Sequence, residues 1–244
     1  MTRYLGMAFA AAAYIFFFAT FLYLVAFVGN LPWVPVTVDR GGTASPIAAA
    51  IVVDLGLIAL FGLQHSGMAR RGFKKWWTGL VPDFVERSIY VVASSLVLVV
   101  LFLVWRPVDA VIWSTSGAVA GILWAIFAIG WGIVLLSTFL INHFELFGLQ
   151  QAWFNLRGRS AADPVFRTPL LYKAVRHPLY LGFAIAFWAA PTMTVGHLVF
   201  AAGMTAFMLI AIELEEKDLV RMFGARYEDY RRAVGKLLPG IGRA

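Results

Sequence analysis

The feature that most constrains this chain is a series of long hydrophobic runs that contain almost no charged residues. The runs extend over residues 5–28, 46–63, 88–105 and 118–141. A helix needs about 20 predominantly apolar residues to cross the hydrocarbon core of a bilayer, and each run meets or approaches that length. The sequence therefore predicts four transmembrane helices.

A fifth apolar region, residues 179–212, is interrupted by the segment Pro191-Thr-Met-Thr194. As a helix, its first arm of about 12 residues would rise only about 18 Å, which is too short for a full crossing. We therefore predict a helical hairpin that enters the membrane and returns, followed by a cytoplasmic amphipathic helix. The expected fold is an all-α polytopic transmembrane bundle that forms one membrane domain over residues 1–244.

The composition limits the chemistry that this chain can perform. Charged residues make up 14% of the sequence, compared with about 25% in soluble domains. The chain has no cysteine, which excludes a disulfide framework, a thiolate metal site and a cysteine nucleophile. We expect no metal site, and a thiol that takes part in the reaction must come from a substrate.

The lysines and arginines indicate the orientation of the helices. All of the 20 except Arg40 and Arg106 lie near the termini or in the segments 65–87 and 142–178. Cytoplasmic connections are enriched in these residues, so both termini and both segments are expected in the cytoplasm. Membrane topology thus accounts for the net charge of +7, with lipids and not nucleic acid as partners. The N-terminal run is too long for a signal peptide and is expected to remain as a span.

The segment Arg176-His-Pro-Leu-Tyr-Leu-Gly182 is the most informative short motif. It places a cation, an imidazole and a phenol at the cytoplasmic mouth of the predicted hairpin. Pro178 suits the first turn of a helix, and Gly182 would allow a ligand or another backbone to approach closely. An interfacial anchor, whose polar side chains only face lipid headgroups, explains the same residues.

A second polar cluster follows the hairpin, in the segment Glu213-Leu-Glu-Glu-Lys-Asp218. Glu213 and Lys217 are four residues apart, so we expect an ordinary ion pair on a solvated helix face. This pairing leaves Glu215 and Glu216 unexplained at the membrane edge. A cationic or diol-bearing ligand nearby would explain both carboxylates.

Together these motifs resemble those of a known family. The order R-H-P-x-Y-x-G, an apolar hairpin, E-E, F-G-x-x-Y-x-x-Y and a late proline covers residues 176–239. It is similar to membrane methyltransferases related to isoprenylcysteine carboxyl methyltransferase and phospholipid N-methyltransferase. The resemblance implies that S-adenosylmethionine is held between the hairpin and the cytoplasmic helix, by motifs within residues 172–239. The implied cofactor-binding residues are Arg176, His177, Pro178, Tyr180, Leu181, Gly182, Glu215 and Glu216.

The resemblance also implies separate roles for these residues. Arg176, His177 and Tyr180 would contact the methionyl end of the cofactor. Gly182 would permit close packing, and the two glutamates would meet polar groups of the cofactor.

A narrower resemblance extends over nearly the whole chain, to the bacterial family that methylates methanethiol to dimethyl sulfide. The segments that carry it are Gln64-His-Ser66, Met68-Ala-Arg70, Phe73-Lys-Lys-Trp76, Val81-Pro82, Glu86-Arg-Ser88, Tyr90, 138–149, 187–194 and Gly196-His197. The implied reaction is S-adenosylmethionine-dependent methylation of a small volatile thiol. The implied location is the bacterial cytoplasmic membrane, with the active site facing the cytoplasm. Methylation of a prenylcysteine carboxylate or a lipid amine, or a non-enzymatic role related to denitrification, stays open, and the oligomeric state is not indicated.

Thiol methylation needs a thiolate, and therefore a group that accepts the thiol proton. His65 and His143 are the leading candidates because each ends a predicted span on the cytoplasmic side, and histidine titrates near neutral pH. Either histidine could instead be structural. Glu86 is a third candidate, although Glu86 followed by Arg87 is more often a structural or orienting ion pair. His197 is expected to be structural.

Asp54 lies in the middle of a predicted span, where an ionisable residue is costly and is a functional hypothesis by default. We expect it to be protonated or to bond to a serine or threonine of a neighbouring helix.

Overall fold

The computed structural model describes residues 2–159 and 165–243. These residues fall into two compact units, the described parts of Met1–Asp109 with Asn142–Asp163 and of Ala110–Ile141 with Pro164–Ala244. We call them the first and the second unit. The single membrane domain over residues 1–244 stays a prediction.

The chain forms helices almost throughout its described part. In chain order the elements are α1 (Arg3–Val28), α2 (Ile47–Ala69), α3 (Arg71–Trp77), α4 (Asp83–Val104), β1 (Val111–Ser114), α5 (Gly117–Ile141), α6 (His143–Leu146), α7 (Leu149–Leu156), a 3-10 turn (Leu170–Lys173), α8 (Pro178–Trp188), β2 (Thr192–Thr194), α9 (Val195–Phe223) and α10 (Ala225–Ala233). Helices α1 to α4, α6 and α7 belong to the first unit, and the other elements belong to the second.

Five of the described helices, α1, α2, α4, α5 and α9, are long and apolar enough to cross a membrane. This confirms the all-α polytopic bundle. The predicted hairpin has unequal arms, because α8 has 11 residues and α9 has 29. Helix α9 continues to Phe223, so Glu215 and Glu216 lie on the long arm itself. The short polar helix α10 follows as predicted, and residues 160–164 of the predicted surface linker lie outside the described residues.

In the first unit, α1 packs against α4 and α7, and α2 packs against α4. Asp54 on α2 is fully buried, and its Oδ1 atom accepts a hydrogen bond of 2.9 Å from the backbone N–H of Arg106. The expected serine or threonine partner is therefore wrong. The actual partner is a backbone donor just beyond the end of α4, where helical hydrogen bonding has stopped.

In the second unit, α5 and α8 approach each other at small residues. A Cβ atom added to Gly130 would lie 2.8 Å from the carbonyl oxygen of Gly182, and one added to Gly182 would lie 2.8 Å from the carbonyl oxygen of Gly130. Glycine at both positions therefore allows the two backbones to touch, as is common between membrane helices. Of the two partners that the sequence suggested for Gly182, a ligand or a backbone, the structure shows the backbone.

The interruption at Pro191 to Thr194 is more ordered than the sequence predicted. Thr192–Thr194 forms strand β2, which pairs antiparallel with Val111–Ser114 in a two-stranded sheet. Thr194 then accepts a hydrogen bond from the backbone N–H of His197 and so caps the start of α9. The short sheet fixes where the long arm begins.

Candidate active site

The N-terminal end of α8 is held by the C-terminal tail of the chain. The backbone N–H of Arg176 donates to the carbonyl of Gly235 at 2.8 Å, and that of His177 donates to the carbonyl of Lys236 at 3.2 Å. Val175 and Gly235 form an isolated parallel bridge. The motif that precedes α8 is therefore positioned by strand-like pairing with residues about 60 positions later.

The guanidinium of Arg176 is buried and donates to four acceptors of the chain. Its Nε atom bonds Glu216 Oε1 at 2.7 Å. One terminal nitrogen donates to the carbonyls of Arg231, at 3.1 Å, and Val234, and the other donates to the carbonyl of Gly242 at 3.0 Å. Arginine has five N–H groups, so four are used within the protein. This places Arg176 as a clamp on the tail, and the cofactor contact that the family resemblance implied stays a prediction.

Glu216 is the centre of a buried charged cluster and is 2% exposed. Its Oε1 atom accepts from Arg176 and from His177 Nε2, the latter at 3.0 Å. Its Oε2 atom lies 3.2 Å from Arg231 Nε in an ion pair and lacks a hydrogen bond. Burying a carboxylate is costly unless it is paired, and here three cationic or imidazole groups share the carboxylate.

Glu215 differs from its neighbour because its side chain is 44% exposed. Since His177 donates from Nε2 to Glu216, its Nδ1 atom is directed elsewhere and lies 4.0 Å from Glu215 Oε2. Tyr180, one turn into α8, places its ring centroid 5.8 Å from that of His177. Glu215 and Tyr180 thus form the more exposed side of the cluster, and the buried His177 directs Nδ1 toward Glu215, while Glu216 and Arg176 form its interior.

Tyrosines surround the same cluster. The hydroxyl of Tyr230 donates to the carbonyl of Tyr172. Burial, with the nearby carboxylates, raises the pKa of Tyr172 and Tyr227, and burial raises the pKa of Tyr230 to about 12. All three phenols are therefore neutral at physiological pH and supply aromatic surface without adding charge.

The remaining members of the implied cofactor set have structural positions. Pro178 is the first residue of α8, as predicted for a residue without an N–H group. Leu181 is partly exposed on α8, and Gly182 contacts α5. Across the described residues, no group of three or more acidic, histidine or cysteine side chains could hold a metal ion.

In the first unit, His65 is bonded to two hydroxyl groups of α4. Its Nδ1 atom lies 3.2 Å from Ser94 Oγ, and its Nε2 atom lies 2.9 Å from the hydroxyl of Tyr90. The Tyr90 hydroxyl also lies 3.3 Å from the carbonyl oxygen of His65. The guanidinium of Arg87 stands 4.8 Å from the centroid of the Tyr90 ring.

His143, the second candidate base, is buried among aromatic rings. Its Nε2 atom lies 2.8 Å from the hydroxyl of Tyr14, and its ring contacts Phe144 and Phe147 edge-on. Burial lowers the pKa of His143, so its imidazole is neutral at physiological pH.

Glu86 forms an ion pair with Lys74 of α3, with 4.0 Å between Nζ and Oε2. The sequence favoured an ion pair of Glu86 with the adjacent Arg87, and the structure shows Lys74 as the partner instead. His197 is buried, with its Nε2 atom 2.9 Å from the carbonyl of Phe187, and is structural as expected.

The hydroxyl partners of the two candidate bases were not predicted from the sequence. They are Tyr90 and Ser94 for His65, and Tyr14 for His143. A signal for two of them was present. Arg87, Tyr90 and Ser94 are spaced at i, i+3 and i+7, so they share one face of α4. Polar residues along one face of a transmembrane helix indicate that this face lies inside the helix bundle and has a functional role.

Known proteins that resemble the chain cover nearly its full length. It is 50% identical over 242 residues to the methanethiol S-methyltransferase of Mycobacterium tuberculosis, covering 98% of each chain. It is 53% identical over 218 residues to the methanethiol S-methyltransferase of Pseudomonas deceptionensis, covering 88% of this chain and 82% of that protein. A Nurim homolog of Drosophila pseudoobscura is 26% identical over 77% of each chain. No protein-family model and no solved structure matches.

Five membrane-length helices, together with methyltransferase relatives that span both units, define an integral membrane methyltransferase. Within that class, the chain belongs to the methanethiol S-methyltransferase family.

Proposed function

We propose that this protein transfers the methyl group of S-adenosylmethionine to methanethiol and so forms dimethyl sulfide. The observation that carries the proposal is the length of the likeness. Methanethiol S-methyltransferases from three organisms share 46 to 53% identity with at least 88% of this chain. A likeness that runs through both units includes the cofactor motifs and the histidine centres together.

The cluster around Glu215 and Glu216 fits S-adenosylmethionine chemically. The cofactor carries a sulfonium, an amino group and a ribose diol, and a half-exposed carboxylate beside neutral phenols suits such cationic and hydroxyl groups. Glu216 Oε2 is buried and lacks a hydrogen bond, although it forms an ion pair with Arg231, so it can still accept one from a bound ligand. When bound, the cofactor supplies an electrophilic methyl group.

The residues of the second unit have two roles in cofactor binding, namely contact and positioning. In this proposal, Glu215, Tyr180 and the Nδ1 side of His177 contact the cofactor. Arg176 and Glu216 position them, because the clamp fixes both the start of α8 and the tail. Positioning matters for methyl transfer, which needs the reacting atoms in line and about 3 to 3.5 Å apart.

His65 is the group that we assign to accept the thiol proton. Both of its ring nitrogens face hydroxyl oxygens, and a hydroxyl can either donate or accept a hydrogen bond. When the imidazole gains a proton, both N–H groups can donate to Ser94 and Tyr90. Tyr90 can then turn its own proton to the carbonyl of His65, 3.3 Å away. The network therefore accommodates the protonated ring without losing a bond.

The proposed location follows from the cation distribution and the fold. With both termini in the cytoplasm, the start of α8, the end of α9 and the tail lie at the cytoplasmic face of a bacterial inner membrane. A small volatile thiol reaches such a site from water or from lipid. The whole chain then acts as one membrane enzyme.

The direct test uses purified protein in detergent with methanethiol and S-adenosylmethionine that carries a deuterated methyl group. We expect deuterated dimethyl sulfide in the headspace, which identifies both the donor and the acceptor. An isoprenyl-cysteine and phosphatidylethanolamine are supplied in parallel reactions. Labelled product from one of these acceptors and none from methanethiol would refute the proposal.

A further inference from the structure

The first unit contains an apolar cavity, and the proposed function assigns no role to the residues that line it. It has a volume of about 470 Å³ and is lined by Met7, Asn142, Phe144, Leu149, Gln150 and Trp153. Phe144 and Trp153 are 53% and 44% exposed, so the cavity is an open groove. The groove lies between the first turns of α1 and the short helices α6 and α7.

Two arginines converge at one end of this groove. Arg3 is one helical turn from Met7 on α1, and Arg157 is one turn from Trp153 on α7, so each cation shares a helix face with a lining residue. The Arg157 guanidinium stacks on the Trp153 ring at 4.7 Å. A terminal nitrogen of Arg3 lies 3.2 Å from where a Cβ atom on Gly158, the residue after Arg157, would be.

The other end of the groove is polar but not cationic. The amide of Asn142 donates to Glu145 at 2.8 Å and to Gln150. The groove thus has an apolar floor, positive charge at one end, and amides with the Glu145 carboxylate at the other. Helix α1 also begins at Arg3, and the N-terminus of a long helix adds positive potential there.

We propose that this groove binds one anionic phospholipid, with its phosphate between Arg3 and Arg157 and an acyl chain along the apolar floor. The charge pattern favours this occupant over a second copy of the chain, because a symmetric contact uses the same patch of both copies and would place four arginines in one interface. Juxtamembrane arginines attract anionic lipids, and a tryptophan at the boundary suits the headgroup level.

The test uses quenching of tryptophan fluorescence by lipids with brominated acyl chains, with the full chain reconstituted in phosphatidylcholine vesicles. Brominated phosphatidylglycerol and brominated phosphatidylcholine are compared at equal mole fraction. We expect stronger quenching by phosphatidylglycerol, and a Trp153→Phe variant should remove the difference. The variant separates Trp153 from the other tryptophans of the chain.

The two cations are then removed together, as Arg3→Gln with Arg157→Gln. The preference for phosphatidylglycerol should fall by about tenfold or more, since each arginine near a membrane surface contributes about a fivefold attraction. The matched control removes two other exposed cations, Arg221→Gln with Arg232→Gln, and should keep the preference. Equal quenching by the two lipids, or a preference that survives Trp153→Phe or loss of both groove arginines, overturns the proposal.

Discussion

The charged cluster of the second unit and the histidine network of the first unit hold polar groups in opposite ways. Arg176 and Glu216 are fully charged, buried and bonded to acceptors far along the chain. His65 is bonded to neutral hydroxyls of the neighbouring helix α4. The charged cluster fixes the backbone at the start of α8, because loss of either Arg176 or Glu216 leaves a buried charge unpaired. The histidine network can take up or release a proton, because a hydroxyl group can either donate or accept a hydrogen bond.

Breaking the clamp should produce the largest effect. Arg176→Ala leaves Glu216 and three backbone carbonyls without their donor, and breaking a buried ion pair costs about 3 to 5 kcal/mol. We expect a strongly reduced melting temperature of the purified protein in detergent. Arg232→Ala is the control, because its pair with Asp229 is exposed and such pairs contribute about 0 to 1 kcal/mol. Equal melting temperatures for both variants would contradict the clamp.

Removing the imidazole of the first unit should change rate and not affinity. His65→Ala should lower turnover by about 10²- to 10⁴-fold, the usual contribution of a general base, while S-adenosylmethionine binding measured by calorimetry is retained. Turnover of the variant should recover as the pH rises, because solution then supplies thiolate. His143→Ala is the matched comparison. If His143→Ala loses turnover and His65→Ala does not, the base is His143.

Substitutions of Glu215 and Glu216 test whether cofactor contact and structural support are the roles of different residues. Glu215→Gln should weaken S-adenosylmethionine binding by about tenfold or more, since hydrogen bonds to charged groups contribute about 1.5 to 3 kcal/mol, with an unchanged melting temperature. Glu216→Gln should lower the melting temperature, because Arg176 loses its counter-charge. Calorimetry and thermal unfolding of both variants test this, and an identical response of the two would remove the distinction.

Overpacking of the contact between α5 and α8 in the second unit should produce the smallest change in stability. Gly130→Ala puts a methyl group 2.8 Å from the carbonyl oxygen of Gly182, and overpacking of this kind costs about 1 to 3 kcal/mol. Gly132→Ala, on the same helix, meets nothing within 4 Å and is the control. Thermal unfolding should show a lower melting temperature for Gly130→Ala alone. A melting temperature that is unchanged in both would mean that α5 and α8 pack less closely than described.

Hydropathy and charge predicted the spans because they report directly on the lipid environment. The predicted runs 5–28 and 118–141 differ from α1 and α5 by two residues or fewer at each end. The roles of Arg176 and Asp54 could not be predicted in this way. Their partners are backbone groups 66 and 52 residues away, and a backbone donor or acceptor has no signature in the sequence. The strand at Thr192 to Thr194 was missed for a similar reason, because its stability depends on pairing with β1.

The residues that complete the clamp are synthesised well after Arg176. Gly242 follows Arg176 by 66 residues, and ribosomes add about 5 to 20 residues per second, so Arg176 waits roughly 3 to 13 seconds for its final acceptor. During that interval the guanidinium must stay in water or among headgroups, since an unpaired charge cannot be buried cheaply. The start of α8 can therefore settle only after the tail has left the ribosome, and the order of synthesis determines when the clamp around Arg176 closes.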